Sequence, residues 1–330
     1  MGRGILTGLA VLTLALVAGS LALSSVTQDV LDADYNGAVI YDQRYGEAER
    51  NLYDLYLPED CTSDRAQHLI LFIHGGAWTS GDKADGAAWC SNLAAHGYVA
   101  ASMSYTLRTP EKDPDILLIN SEVTEAVRAI KARCAEADIG ISLKDMAVHG
   151  FSAGACQAML FGFRERENSL TDPGLLPIRF ILQQSGPSTF DPAIWRERGE
   201  TLNIIQSVTL LDGTASGDAA FISLFTGQPI SAKMVMDGSA EPYWKAISPY
   251  TYIDENSVPV LFAYGAYDGI VPPKSRIVLE DALEKAGKEE GTDYVEFFME
   301  NSGHGLNLDP LKQAQFLEEV YRFCDRYFVD

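Results

Sequence analysis

Apolar positions along this chain fall into short blocks of two kinds. Residues 38–43 and 52–57 read as paired strands, the second alternating Leu52, Asp54 and Tyr56 against Tyr53, Leu55 and Leu57. Blocks at 68–73, 98–104, 146–149, 178–184, 258–264 and 294–299 are compact apolar runs of strand length, as strands covered on both faces require. Between them, 84–96, 116–137, 153–163, 272–286 and 311–328 carry helical spacing. The second of these has Val123, Ala126, Val127 and Ile130 on one stripe, and the first stops at Gly97. Strands alternating with helices predict right-handed crossovers and an α/β fold, an eight-stranded, mostly parallel sheet with helices on both faces. Residues 187–246 break the rhythm, with Trp195, Trp244, Met234 and Met236 scattered around a Gly/Ser/Asp-rich patch near 213–218. This stretch is expected to be a lid-like insertion over the top of the sheet, without the continuous amphipathic face that docks on an oil surface.

Composition narrows the class. With 47% hydrophobic and 22% charged residues, the chain is globular, neither a disordered tail nor a small disulfide scaffold. A net charge of −21 repels phosphate backbones and argues against nucleic acid as a partner. Residues 1–24 read as a targeting segment: Arg3, an uncharged apolar run over 5–23, then the small residues of Ala22-Leu23-Ser24. The run also approaches membrane-spanning length, so a cleaved signal peptide and an uncleaved N-terminal anchor both remain open. Either places the domain 25–330 outside the cytoplasm, secreted or tethered, and a membrane would be met only through this segment. Cys61, Cys90, Cys134, Cys156 and Cys324 form no CxxC pair, and there is no HExxH, so no metal or other cofactor is expected. The strand at 52–57 should run antiparallel to the rest, which brings Cys61 and Cys134 to the same end of the sheet, where a disulfide is expected. Cys156 should be a buried free thiol.

The chemistry sits at the ends of predicted strands. Gly150-Phe151-Ser152-Ala153-Gly154 matches G-x-S-x-G between a strand and a helix, the setting of a nucleophile elbow, although an ordinary Gly-rich turn has the same letters. Side chains two residues either side of Ser152 would collide with the neighbouring strand and helix. Of five His residues only His304 follows Ser152, in a loop directly after the last strand. Asp268, in a Gly-flanked turn past the 258–264 strand, is the acid expected to orient it; Asp254 and Asp237 are fallbacks. His74-Gly75-Gly76-Ala77-Trp78 follows the 68–73 strand. The Gly76, Ala77 and Ala153 amides are the expected oxyanion donors. His74 is expected to fix the loop, and Trp78 to be either a pocket wall or core packing.

HGGAW, GFSAGA, YGAYDGIVP and SGHGL together resemble the α/β-hydrolase esterases of the hormone-sensitive-lipase and acetyl-xylan-esterase-like (BD-FAE-type) groups, over roughly 36–330. The resemblance implies an α/β-hydrolase fold and a carboxylic-ester hydrolase with Ser152 as nucleophile, His304 as base and acid, and Asp268 as orienter. The substrate would be a small-molecule or carbohydrate ester with a short acyl group. HGGA in place of the commoner HGGG adds a methyl beside the acyl group, and GFSAGA replaces GFSAGG. Two other readings use the same residues: an arylformamidase or serine peptidase acting on amides, and a non-catalytic interaction protein on this fold.

Overall fold

The computed structural model describes residues 34–61, 67–109, 114–196 and 211–328. The targeting segment 1–24 lies outside them, as does 197–210 of the insertion. Eight strands form one sheet: β1 (Ala38–Arg44), β2 (Leu52–Leu57), β3 (Gln67–Ile73), β4 (Val99–Met103), β5 (Leu143–Phe151), β6 (Ile178–Gln184), β7 (Val260–Gly265) and β8 (Tyr294–Met299), in the order β1-β2-β4-β3-β5-β6-β7-β8. As expected, β2 is antiparallel to both its neighbours, whereas β4, β3, β5, β6, β7 and β8 pair in parallel.

Period-two patterning explains the layers. Leu69, Leu71 and Ile73 of β3 point into one core with the apolar stripe of α2 (Ile116–Cys134) and the buried face of α3 (Ala153–Arg164). Ile70 and Phe72 point to the opposite core, packed by α1 (Ala87–Ala95) and the C-terminal helix α10 (Pro310–Tyr327). The central strands β3 and β7 thus bury both faces, which is why their sequences are apolar almost throughout, whereas edge strand β1 stays largely exposed.

Differences from expectation are local. The 84–96 segment begins as a 3-10 turn (Lys83–Gly86) under an Asp82/Asp85 capping box before α1 starts. Gly86 lies so close to the sheet that a Cβ would sit 2.4 Å from Phe72 and Ser102. The helix expected at 272–286 begins at Lys274, after Pro272 and Pro273, as α9 (Lys274–Lys285). Strand β5 is longer than its apolar stretch because Leu143 pairs with Gln67 of β3. Helix α4 (Arg166–Thr171) follows α3, and the described chain between β6 and β7 contains α5 (Pro192–Arg196), α6 (Ala215–Thr226), α7 (Ala232–Met236) and α8 (Glu241–Ala246). Among its described residues Phe190, Trp195, Phe221 and Phe225 are buried together, whereas Met236 is exposed.

The cysteines correct one expectation. Cys61 and Cys134 do share one neighbourhood, close enough that Cys61 adds to the burial that pushes the Cys134 thiol up to about 12, yet both are free thiols. A shared neighbourhood is not sufficient for a disulfide, which also needs a narrow range of separation and torsion. Cys156 is buried and free.

Candidate active site

Parallel strands direct their following loops to one edge of the sheet, where sites of open α/β folds form. Here the loops after β3, β5, β7 and β8 bring the sequence-predicted residues to that edge. Ser152, with φ 55° and ψ −120°, occupies the sharp turn between β5 and α3. An L-residue holds such a conformation only when its surroundings enforce it. Two glycines permit the fit: a Cβ on Gly154 would lie 2.0 Å from the Ile73 carbonyl oxygen, and one on Gly150 would lie 2.3 Å from the Gly154 carbonyl.

His304 Nε2 is 2.8 Å from Ser152 Oγ, and His304 Nδ1 is 2.8 Å from Asp268 Oδ2. All three are buried or nearly so. Asp268 does two jobs with its two oxygens. Oδ1 accepts from the Ile270 and Val271 amides at 2.8 and 2.9 Å, holding its own turn, while Oδ2 faces the imidazole. The fallback acids are elsewhere: Asp254 pairs with Arg166, and Asp237 with Lys233.

The loop after β3 runs through three consecutive positive φ values, Gly76 at 101°, Ala77 at 49° and Trp78 at 61°. The Gly76 carbonyl accepts from the Thr79 and Ser80 amides at 2.9 and 3.0 Å, and the Trp78 carbonyl accepts from the Arg108 amide at 2.7 Å. Among the described residues the Gly76 and Ala77 amides have no acceptor of their own. Trp78 is 4% exposed and packs edge-on against Phe225 and beside Phe190, so its ring belongs to the aromatic core of the β6–β7 segment. Packing is thus one role of this ring.

His74 fixes the loop, as expected. Its Nδ1–H donates to the Gly75 carbonyl at 2.7 Å, and its ring stacks on Tyr105 at 4.1 Å. Burial pushes its pKa down to about 4, so the ring stays neutral at neutral pH. Sequence reasoning gave no role to Tyr105, whose hydroxyl donates to the His74 and Gly75 carbonyls at 3.1 Å each, nor to Arg50, which ties Tyr105 and Gly81 carbonyls together. It also missed Ser185, whose hydroxyl donates to the His304 carbonyl at 2.9 Å. None of these has a spacing signal, because each acts across distant segments. Among the described residues, no group of three or more His, Cys, Asp or Glu could hold a metal, and no helix is long and apolar enough to cross a membrane.

Sheet order, helix layers and the placing of the Ser, His and Asp loops define the α/β-hydrolase fold. Within that class the chain matches the BD-FAE family model over residues 53–283, most of its length, and belongs to that family. Esterase LipC of Mycobacterium tuberculosis is 25% identical over 287 residues, covering 84% of this chain and 64% of LipC. Kynurenine formamidase of Danio rerio is 29% identical over 116 residues, or 35% of this chain and 34% of the formamidase. The chain therefore spans under two thirds of these curated relatives. A solved carbohydrate esterase from gut microbiota superposes with a TM-score of 0.65 at 18% identity, covering 90% of this chain and 99% of that one. That likeness is one of fold.

Proposed function

We propose that this protein is a serine esterase that hydrolyses short-chain carboxylic esters through a covalent acyl-enzyme. The observation that carries the reading is the unbroken chain Ser152 Oγ, His304 Nε2, His304 Nδ1, Asp268 Oδ2, with 2.8 Å at both links. Ser152 Oγ attacks the ester carbonyl while His304 Nε2 takes its proton. His304 then gives that proton to the leaving alcohol. Water, deprotonated by His304, attacks the acyl-enzyme, and Ser152 recovers its proton as the acid departs. Asp268 holds the imidazole with Nδ1 protonated and balances the imidazolium charge. The Gly76, Ala77 and Ala153 amides receive the oxyanion; the first two have free donors, and the third opens α3, whose N-terminus favours negative charge.

Membership of the BD-FAE family and the likeness to LipC favour an ester. Among the described residues of the β6–β7 segment, Phe190, Trp195, Phe221 and Phe225 turn inward around Trp78, which favours acetyl to butyryl groups, including acyl groups on carbohydrates, over long chains. Export through residues 1–24 fits substrates met outside the cytoplasm. A panel of nitrophenyl esters graded by acyl length tests the reading: kcat/KM should fall gradually from butyryl to decanoyl, since one methylene shifts discrimination by only about 1–3 kcal/mol. A steady rise through palmitoyl would overturn the short-acyl part. The partial likeness to kynurenine formamidase supports one second reading, and faster turnover of N-formyl arylamines than of any ester would establish it.

A further inference from the structure

Asp309 immediately precedes Pro310, the first residue of α10, the position from which an aspartate ordinarily caps a helix. Its side chain makes no cap hydrogen bond. It turns back into the loop that carries His304 and is itself buried. One oxygen, Oδ2, accepts from the Asn301 amide at 3.0 Å and the Ser302 hydroxyl at 2.6 Å; the other, Oδ1, accepts from Asn301 Nδ2 at 2.7 Å.

Ser302 is the hub of this arrangement. Fully buried, it takes the Leu308 amide on its hydroxyl at 3.0 Å, closing the loop on itself. Its carbonyl accepts from the Tyr267 amide at 2.9 Å, and Tyr267 adjoins Asp268. The same side chain that Asp309 grips therefore belongs to the residue joining the acid loop to the base loop, two positions before His304. Contact there is tight, since a Cβ on Gly265 would fall 2.2 Å from the Gly303 carbonyl oxygen. The first turns of α10 grip both flanks: Lys312 Nζ donates to the Phe298 carbonyl at 2.6 Å and Gln313 Nε2 to the Leu306 carbonyl at 2.5 Å. Leu306, at φ 58° and buried, is held in the left-handed region by this frame.

We infer that Asp309, acting through Ser302, is a positioning residue that sets the His304 imidazole between Ser152 and Asp268. It forgoes capping its own helix to do so. The burial that disfavours its charge is outweighed by the hydrogen bonds from Ser302 and Asn301, which hold its carboxyl below the usual range and keep it an acceptor at neutral pH. This inference rests on the esterase reading for its kinetic consequence but not for its geometry.

The test uses the full chain with Asp309→Ala, Asp309→Asn and Ser302→Ala, read by steady-state kinetics on a butyryl ester, by thermal melting, and by the downfield NMR resonance of the proton between His304 Nδ1 and Asp268. A displacement of about 1 Å can cost on the order of 100-fold in rate. Asp309→Ala should therefore lose roughly 10- to 100-fold in kcat with KM within about threefold, and Ser302→Ala somewhat less. Asp309→Asn should fall between parent and Asp309→Ala, because its amide can still accept one bond. In each variant the downfield resonance should shift or broaden. A folded Asp309→Ala variant that keeps the parent's kcat and an unmoved resonance would overturn the inference. Should Asp309→Ala not fold, Ser302→Ala decides on the same readouts. If the parent itself hydrolyses no ester, the esterase reading fails, and the resonance alone still decides whether Asp309 positions His304.

Discussion

Two histidine–aspartate pairs lie at opposite ends of the same sheet. At the loop end, His304 meets Asp268 at 2.8 Å; at the start of the strands, His68 of β3 meets its register partner Asp145 of β5 at 2.5 Å. As pairs they are alike, each a mostly buried imidazole Nδ1 on a buried carboxylate. Their surroundings differ. Asp145 spends its second oxygen on Arg179 Nε at 2.7 Å, and the His68 ring stacks on Phe328. Asp268 spends its second oxygen on backbone amides, and His304 offers its second nitrogen to Ser152. A His–Asp pair becomes a site because of what faces the other nitrogen. Strand interiors surround an imidazole with ladder and ring, whereas loops at the carboxyl ends leave a hydroxyl and free amides beside it.

The largest expected effect separates the two pairs directly. His304→Ala and Ser152→Ala should each lower kcat/KM by on the order of 10⁵-fold, because members of such a unit fail together. His68→Ala should leave kcat/KM within about threefold. Equal losses from His68→Ala and His304→Ala would erase the distinction. Labelling by a fluorophosphonate should map to Ser152 and disappear in both Ser152→Ala and His304→Ala.

Next in size is Asp268→Asn, which keeps the shape of the turn but not the charge that holds the imidazole tautomer. A loss of about 10³- to 10⁴-fold in kcat is expected, short of the His304→Ala loss. Activity within tenfold of the parent would assign Asp268 to turn-holding alone, the job its Oδ1 already does.

Acid should act on the fold through two buried imidazoles away from both pairs. Among the described residues neither His74 nor His149 has a carboxylate hydrogen-bond partner, and burial pushes each down to about 4 from 6.5. Between those values the unfolded chain binds protons that the folded chain refuses. Their contribution is thus fully present above about pH 6.5 and lost progressively as pH falls towards 4, on the order of 3 kcal/mol for each. Melting temperature should drop steeply across that window. A flat profile would mean that one or both rings accept a proton in the native state.

The smallest effect belongs to the structural pair itself. Removing the His68 ring leaves Asp145 with Arg179, which is 39% exposed at its side chain, so the carboxylate keeps one partner. Destabilisation of about 1–3 kcal/mol is expected in chemical denaturation. No measurable change would make Arg179 sufficient and His68 a bystander.

Local patterning determined the eight strands and the helices between them, because apolar blocks of those lengths pack naturally on a parallel sheet, but it left the helices within 187–246 unread. It also singled out Ser152, since its two glycines answer clashes set by adjacent segments, and His304, since chain order left no other imidazole after the nucleophile. Asp268 was legible from its place after a strand, though not that its two oxygens divide between turn and ring. What the tertiary structure alone decided involves residues whose partners are remote in sequence. Trp78 becomes core by meeting Phe190 and Phe225, more than 100 positions away. Ser185 finds the His304 carbonyl, and Cys61 approaches Cys134 without bonding it. Asp309, placed just before α10, turns in space towards the base loop instead of capping that helix. Periodicity records which face a residue presents, whereas a hydrogen bond between loops depends on how several strands end together, and that is fixed only when the sheet is assembled.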